Sequence, residues 1–123
     1  LGKPYSQTTS LGQEGVEIGG CFVMELASKY QTPLFVLDQK DFWNRATSWS
    51  SALQNNLGEL AGEVYYAGKA FLASEVLKWI AEIGLGLDVC SGGELSVARK
   101  AKFPAERIEF HGNNKSSTEY FVT

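Results

Sequence analysis

The stretch Gly84-Leu85-Gly86-Leu87-Asp88-Val89-Cys90-Ser91-Gly92-Gly93-Glu94-Leu95 decides the fold. Leu85 to Val89 reads as a β-strand. Ser91-x-x-Glu94 reads as a capping box, in which two side chains satisfy free N–H groups in the first turn of a new helix. A strand running straight into a capped helix is the building step of an α/β fold. The rhythm continues on both sides. Upstream, Val64-Tyr65-Tyr66-Ala67 is β-like, and Val76, Leu77, Ile80 and Ala81 form a helical stripe closed by Gly84. Downstream, a helix from about Gly92 to Lys102 ends before Pro104, and Arg107-Ile108-Glu109-Phe110 makes a third strand. A second box, Ser116-x-x-Glu119, opens another helix near Ser117. The strand centres Tyr66, Leu87 and Phe110 fall about 22 residues apart, a βα repeat length.

The region before this repeat has a different texture. Its first residues are rich in Ser, Thr, Gly and Gln and read as an irregular lead-in, with Val16-Glu17-Ile18 as a short edge strand. Val23, Leu26, Ala27 and Tyr30 share one helical face, and Pro33 stops that helix. Leu34-Phe35-Val36-Leu37 has the size of a buried strand. Asp38 can cap a following helix on which Phe42, Ala46, Trp49 and Leu53 form a stripe, broken by Asn55, Asn56 and Gly58.

Three parallel βα units cannot close a barrel, and an open parallel sheet needs helices on both faces. The last helix has run about one turn when the sequence reaches Thr123. The expectation is therefore the N-terminal part of a larger α/β protein, with a small three-stranded α/β domain as the alternative.

Composition narrows the functions. The chain has 123 residues with 11 Lys+Arg against 14 Asp+Glu, a formal charge of -3, 44% hydrophobic and 20% charged residues. That balance argues against global disorder and suits one domain. The basic residues are scattered and outnumbered, so there is no electrostatic case for nucleic acid. No apolar run approaches the ~18–20 residues of a membrane span, and Leu1-Gly2-Lys3-Pro4 shows no apolar signal core. Cys21 and Cys90 stand apart, with no CxxC and no Cys/His cluster. This argues against a metal site or disulfide framework and fits a reducing cytoplasm.

Strand side chains alternate faces. Tyr65, Ala67 and Lys69 then share a face, as do Gly86, Asp88 and Cys90, and Glu109, His111 and Asn113. The opposite face, with Leu85, Leu87, Val89, Ile108 and Phe110, suits packing under helices. The small and polar face suits the inside of a barrel near its mouth. Lys69, Asp88 and His111 would then lie at the C-terminal ends of adjacent strands, where parallel α/β barrels carry their active sites. Lys69 has two readings. One is a surface lysine at a strand end, the usual fate of lysine. The other is a desolvated amine, its neutral form available for a Schiff base. Asp88 is either the carboxylate that holds that ammonium between steps or a loop acid. A lone histidine such as His111 is more often a hydrogen-bonded structural residue than a catalyst. Gly92-Gly93 at a helix start can cradle phosphate, but two glycines without a GxGxxG string are a weak signal.

Five strings in order resemble bacterial diaminopimelate decarboxylases. Tyr66-Ala67-Gly68-Lys69-Ala70-Phe71-Leu72 resembles the lysine motif of that family, and residues 84–95 resemble its second barrel strand and turn. Phe103-Pro104-Ala105-Glu106-Arg107-Ile108 and His111-Gly112-Asn113-Asn114-Lys115-Ser116 resemble the third. Thr32-Pro33-Leu34-Phe35-Val36-Leu37-Asp38 is similar to the strand that leads into the barrel. The likeness runs from about Ile18 to Glu119. Ornithine and arginine decarboxylases and alanine racemase share the lysine-bearing strand more loosely. The strings at 90–94 and 111–115 favour the diaminopimelate branch.

The resemblance implies a pyridoxal-phosphate-dependent enzyme of lysine biosynthesis that decarboxylates meso-2,6-diaminopimelate to L-lysine. It also implies a (β/α)8 TIM-like barrel of the alanine-racemase type, joined to a C-terminal β-domain. Residues 39–123 would be the first, incomplete part of that barrel, and residues 1–38 would pack with the β-domain. Lys69 is expected to hold pyridoxal 5′-phosphate covalently. Asp88 occupies the acidic position beside it, Ala67 leaves room for the ring, and His111 and Asn113 wall the cofactor. The phosphate loop, the acid facing the pyridine nitrogen and the substrate-reading residues are expected beyond Thr123. The isolated segment should therefore be inactive, and the full-length enzyme is expected to be a cytoplasmic homodimer acting on a small amino acid. The alternatives are a related decarboxylase of ornithine or arginine and a non-catalytic pyridoxal-phosphate-binding protein.

Overall fold

The computed structural model describes residues 5–60 and 62–120. They fall into two compact units, Leu1–Ser48 and Trp49–Thr123.

In the first unit, β1 (Ser10–Gly12), β2 (Gly15–Ile18) and β3 (Cys21–Phe22) form an antiparallel sheet with β2 in the middle. Residues 16–18 are therefore not an edge: Glu17 pairs with Ser10 on one side and Phe22 on the other. The flanking strands, three and two residues long, are too short to announce themselves by alternation. Helix α1 (Val23–Tyr30) follows where its stripe places it. Leu34–Leu37 is not a strand. It runs without a ladder partner among the described residues, and Phe35 is 93% exposed. Its apolar run signals a wish for burial and carries no information about the partner.

Helix α2 (Gln39–Leu57) begins at Asp38, whose Oδ1 accepts the Asp41 N–H at 3.1 Å. Ser6 and Thr8 donate their hydroxyls to the other Asp38 oxygen. Asp41 is buried and accepts the Gln7 N–H and the Arg45 Nε–H, each at 2.7 Å. Burial pushes its carboxyl up, but these two donors outweigh burial and hold it below the usual carboxylate range. A polar clasp thus ties residues 6–8 to the start of α2.

The second unit is the βα repeat. Strands β4 (Tyr65–Ala67), β5 (Gly86–Val89) and β6 (Ile108–Phe110) lie parallel in that order. Helices α3 (Ser74–Ile83) and α4 (Gly92–Lys100) are the crossovers, and α5 (Ser117–Tyr120) begins the next step. The register pairs Tyr65 with Gly86, Ala67 with Asp88, and Asp88 with Glu109. Leu87 and Val89 of β5, with Leu85 just before it, are buried together with Val76, Leu77 and Ile80 of α3 and Leu95 and Ala98 of α4. Each fully buried Leu or Val is worth roughly 1.5–3 kcal/mol.

Helix ends are closed by side chains and one glycine. Gly84 ends α3 at φ 90, a left-handed conformation that lets its N–H reach the Ile80 and Ala81 carbonyls. Arg107 fills the same gap from the turn just before β6, donating to Ala81 O at 3.3 Å, Ile80 O at 3.4 Å and the Leu85 carbonyl. Both expected capping boxes form, at Ser91/Glu94 and Ser116/Glu119.

Candidate active site

The polar face of the parallel sheet is built from the register. Ala67 on β4, Asp88 on β5 and Glu109 on β6 stand side by side, so their side chains share a face. Two residues earlier along the strands, the exposed Tyr65 ring lies across Gly86. A Cβ there would run into the ring carbons, so glycine gives the ring its place.

Lys69 is not on the strand. β4 stops at Ala67 and the chain enters a 3₁₀ turn, Gly68–Ala70. The turn is seated hard against β5: a Cβ on Gly68 would stand 3.0 Å from the Asp88 carbonyl oxygen. Gly68 is buried, whereas Lys69 next to it is exposed and makes no hydrogen bond or ion pair with another described residue. The alternation that carried the reading to Lys69 is cut two residues early, at Ala67, yet the amine still leaves from the C-terminal edge of the sheet. The desolvation invoked for it from the sequence is not supplied by the described residues.

Asp88 and His111 come together. The His111 N–H donates to Val89 O at 3.0 Å, extending the β5–β6 ladder by one rung, and the ring Nδ1 is bonded to Asp88 Oδ1. The Asp88 side chain is 22% exposed and that of His111 41%, so the pair lies half-buried at the rim. Asn113 sits in an exposed bend and has no hydrogen bond to the other site residues.

The turn after β5 is held from two directions, one of which the sequence reading missed. Glu94 accepts the Cys90 N–H at 2.6 Å and the Ser91 N–H at 3.2 Å, and these donors hold its carboxyl below the usual range despite partial burial. The same carboxylate accepts from the Cys90 thiol and pushes it up, with burial adding to the effect, which argues against a thiolate there. From the other side, Lys115 donates to the Cys90 carbonyl and lies 4.4 Å over the Phe110 ring. Glu119 accepts the Gly92 N–H at 3.2 Å while capping α5. That contact takes the Gly92 donor on which the phosphate-cradle reading depended. Lys115 was visible only as part of the 111–116 string, and Glu119 only as the capping-box partner of Ser116.

These features fit a cofactor held by a lysine. An exposed amine is available to bond an aldehyde carbon. Ala67 offers only a methyl group on the adjoining face. A carboxylate anchored at the same rim matches positive charge at the amine.

The fold and the site define a parallel α/β domain that carries a lysine at the C-terminal edge of its sheet. Residues 39–120 match the family described as "Pyridoxal-dependent decarboxylase, pyridoxal binding domain", and the chain belongs to that family. The diaminopimelate decarboxylase of Mycobacterium tuberculosis is 48% identical over 116 residues, which are 94% of this chain and 25% of that protein. A crystal structure of diaminopimelate decarboxylase from M. jannaschii matches with a TM-score of 0.85 at 30% identity, over 95% of this chain and 27% of that one. A second, in complex with L-lysine, matches with a TM-score of 0.80 at 29% identity over the same shares, 95% and 27%. The chain spans about a quarter of the length of the curated relatives it matches. The α/β class, the family and the pyridoxal cofactor read from the sequence are borne out. No helix among the described residues is long and apolar enough to cross a membrane.

Proposed function

We propose that the chain forms the first βα units of a (β/α)8 barrel in an enzyme that decarboxylates meso-2,6-diaminopimelate to L-lysine. The observation that carries the reading is the position of Lys69. Its amine makes no hydrogen bond or ion pair with another described residue, and it stands on a turn that Gly68 seats against Asp88. The likeness to diaminopimelate decarboxylases supports the substrate, and L-lysine, bound in the M. jannaschii structure, is the product of that reaction.

Pyridoxal phosphate, when bound, supplies an electron sink for the pair released with the carboxylate. The residues of this chain do the holding. Lys69 provides the covalent anchor, and its Nζ can hold or return a proton. Asp88 pairs with positive charge at that nitrogen and keeps it in place. Ala67 leaves volume for a flat ring, and His111 and Asn113 border the cavity. Residues 39–123 serve as barrel, while residues 1–38 pack with a β-domain that covers the exposed Leu34–Leu37 run. The complete enzyme is a cytoplasmic homodimer in this reading.

The test is carbon dioxide release by the full-length protein loaded with pyridoxal phosphate. Diaminopimelate should be turned over in strong preference to ornithine and arginine. Preference for either of those would move the protein to a related branch. Release from none of them would make it a cofactor-binding protein without this activity.

A further inference from the structure

We propose that His111 is a positioning residue for the Lys69 site. It anchors the Asp88 carboxylate through Nδ1, and Asp88 in return fixes the ring proton on that nitrogen. The inference rests on Lys69 as the cofactor-bearing amine.

Asp88 is engaged on two sides. Its carbonyl oxygen backs Gly68, so the turn that carries Lys69 is seated on the Asp88 main chain. Its Oδ1 is bonded to His111. His111 is itself fixed, because its N–H completes the last rung to Val89 O at 3.0 Å. A carboxylate is acceptor-only, so the facing Nδ1 must be the donor. Asp88 Oδ2 and His111 Nε2 make no hydrogen bonds among the described residues. A carboxylate pinned by one oxygen keeps the other for a positive charge at Lys69. Without the pin, the side chain is free to leave the rim.

Other ionisable groups stand nearby. Glu109 is the register partner of Asp88 on β6. Cys90 follows β5 with its thiol kept protonated by Glu94, and Lys115 is engaged with the Cys90 carbonyl. Lys69 lies close enough to act on the Cys90 thiol. None of these groups bonds to the Asp88 carboxylate or the His111 ring among the described residues.

A histidine that only stitches β6 to β5 would leave the chemistry of Lys69 alone, so the test reads that chemistry. In the full-length protein with pyridoxal phosphate, borohydride reduction first establishes that each variant carries its label on Lys69. The pH midpoint of the visible absorbance of the lysine-bound cofactor is then followed. The negative charge of Asp88 favours the protonated form, so weakening it lowers the midpoint. D88N should lower it by about one pH unit. H111A should lower it by less in the same direction, and H111N, whose amide replaces the Nδ1 donor, should keep the wild-type value. If H111A does not fold, H111Q takes its place, because that amide reaches the Nε2 position and cannot replace Nδ1. Nitrogen-15 spectra of the cofactor-free protein give an independent readout. The resonances missing in H111N identify the ring, which should be protonated at Nδ1 in the wild type and lose that preference in D88A. An unchanged midpoint in H111A or H111Q with Lys69 still labelled would overturn the role of His111 alone, as would a ring protonated only at Nε2. A label away from Lys69 in the wild type would overturn the cofactor reading, and the role of His111 with it.

Discussion

Between Val76 and Phe103 the second unit buries a continuous set of apolar side chains, with Ile80, Leu87 and Val89 fully out of solvent. The first unit buries Asp41 instead and leaves Phe35 and Met24 exposed at 93% and 74%. One region is held by apolar packing between neighbours in sequence, the other by a polar clasp of Ser6, Gln7, Thr8, Asp38, Asp41 and Arg45. Each βα step brings its own cover, since the helix after a strand folds back over that strand. The Leu34–Leu37 run has no such helix folded back over it among the described residues, and Phe35 stays exposed.

The contrast can be broken by mutation. The largest effect is expected for L87A. Removing a fully buried leucine from β5 should cost about 2–5 kcal/mol in urea denaturation, and a loss under 1 kcal/mol would mean the sheet is not packed as described. R107A comes next. It strips the carbonyls of Ile80, Ala81 and Leu85 of a shared donor, and about 1–3 kcal/mol should be lost. S91A removes one half of the α4 capping box and should cost about 1 kcal/mol. The smallest effect belongs to the first unit: F35S should stay within about 0.5 kcal/mol of wild type when these residues stand uncovered. A large loss there would show that a partner already buries Phe35.

Acid sharpens the same contrast. Glu94 and Glu119 are held below the ordinary glutamate range, chiefly by the backbone N–H groups of Cys90 and Ser116 respectively. A depressed carboxyl contributes stability above its unfolded value and loses it as the pH falls through the folded one. Thermal melts should therefore weaken below roughly pH 4–5, and E94Q, lacking this titration, should show a shallower acid limb.

Much of the second unit was legible because its signals are local. A capping box spans four positions, a glycine stop follows its stripe, and a strand face alternates. The same alternation brought Asp88 to the side where Ala67 lies and His111 to the side of Asp88. It failed at Lys69 because Gly68 turns the chain to seat itself on β5, a tertiary contact with no period. Asp41 was illegible as a buried acid because one of its donors, Gln7, is 34 residues away. Lys115 and Arg107 were illegible for a related reason: each satisfies carbonyls on another element. The Leu34–Leu37 run was read correctly as apolar and wrongly as a strand, since a strand needs a neighbour.

The central claim is that Lys69 is the amine that holds the cofactor. Borohydride reduction of the full-length protein loaded with pyridoxal phosphate, followed by peptide mapping, tests it most directly. The account predicts a single reduced adduct on Lys69, lost in K69A. A stable adduct on another lysine, or unchanged labelling in K69A, would contradict it.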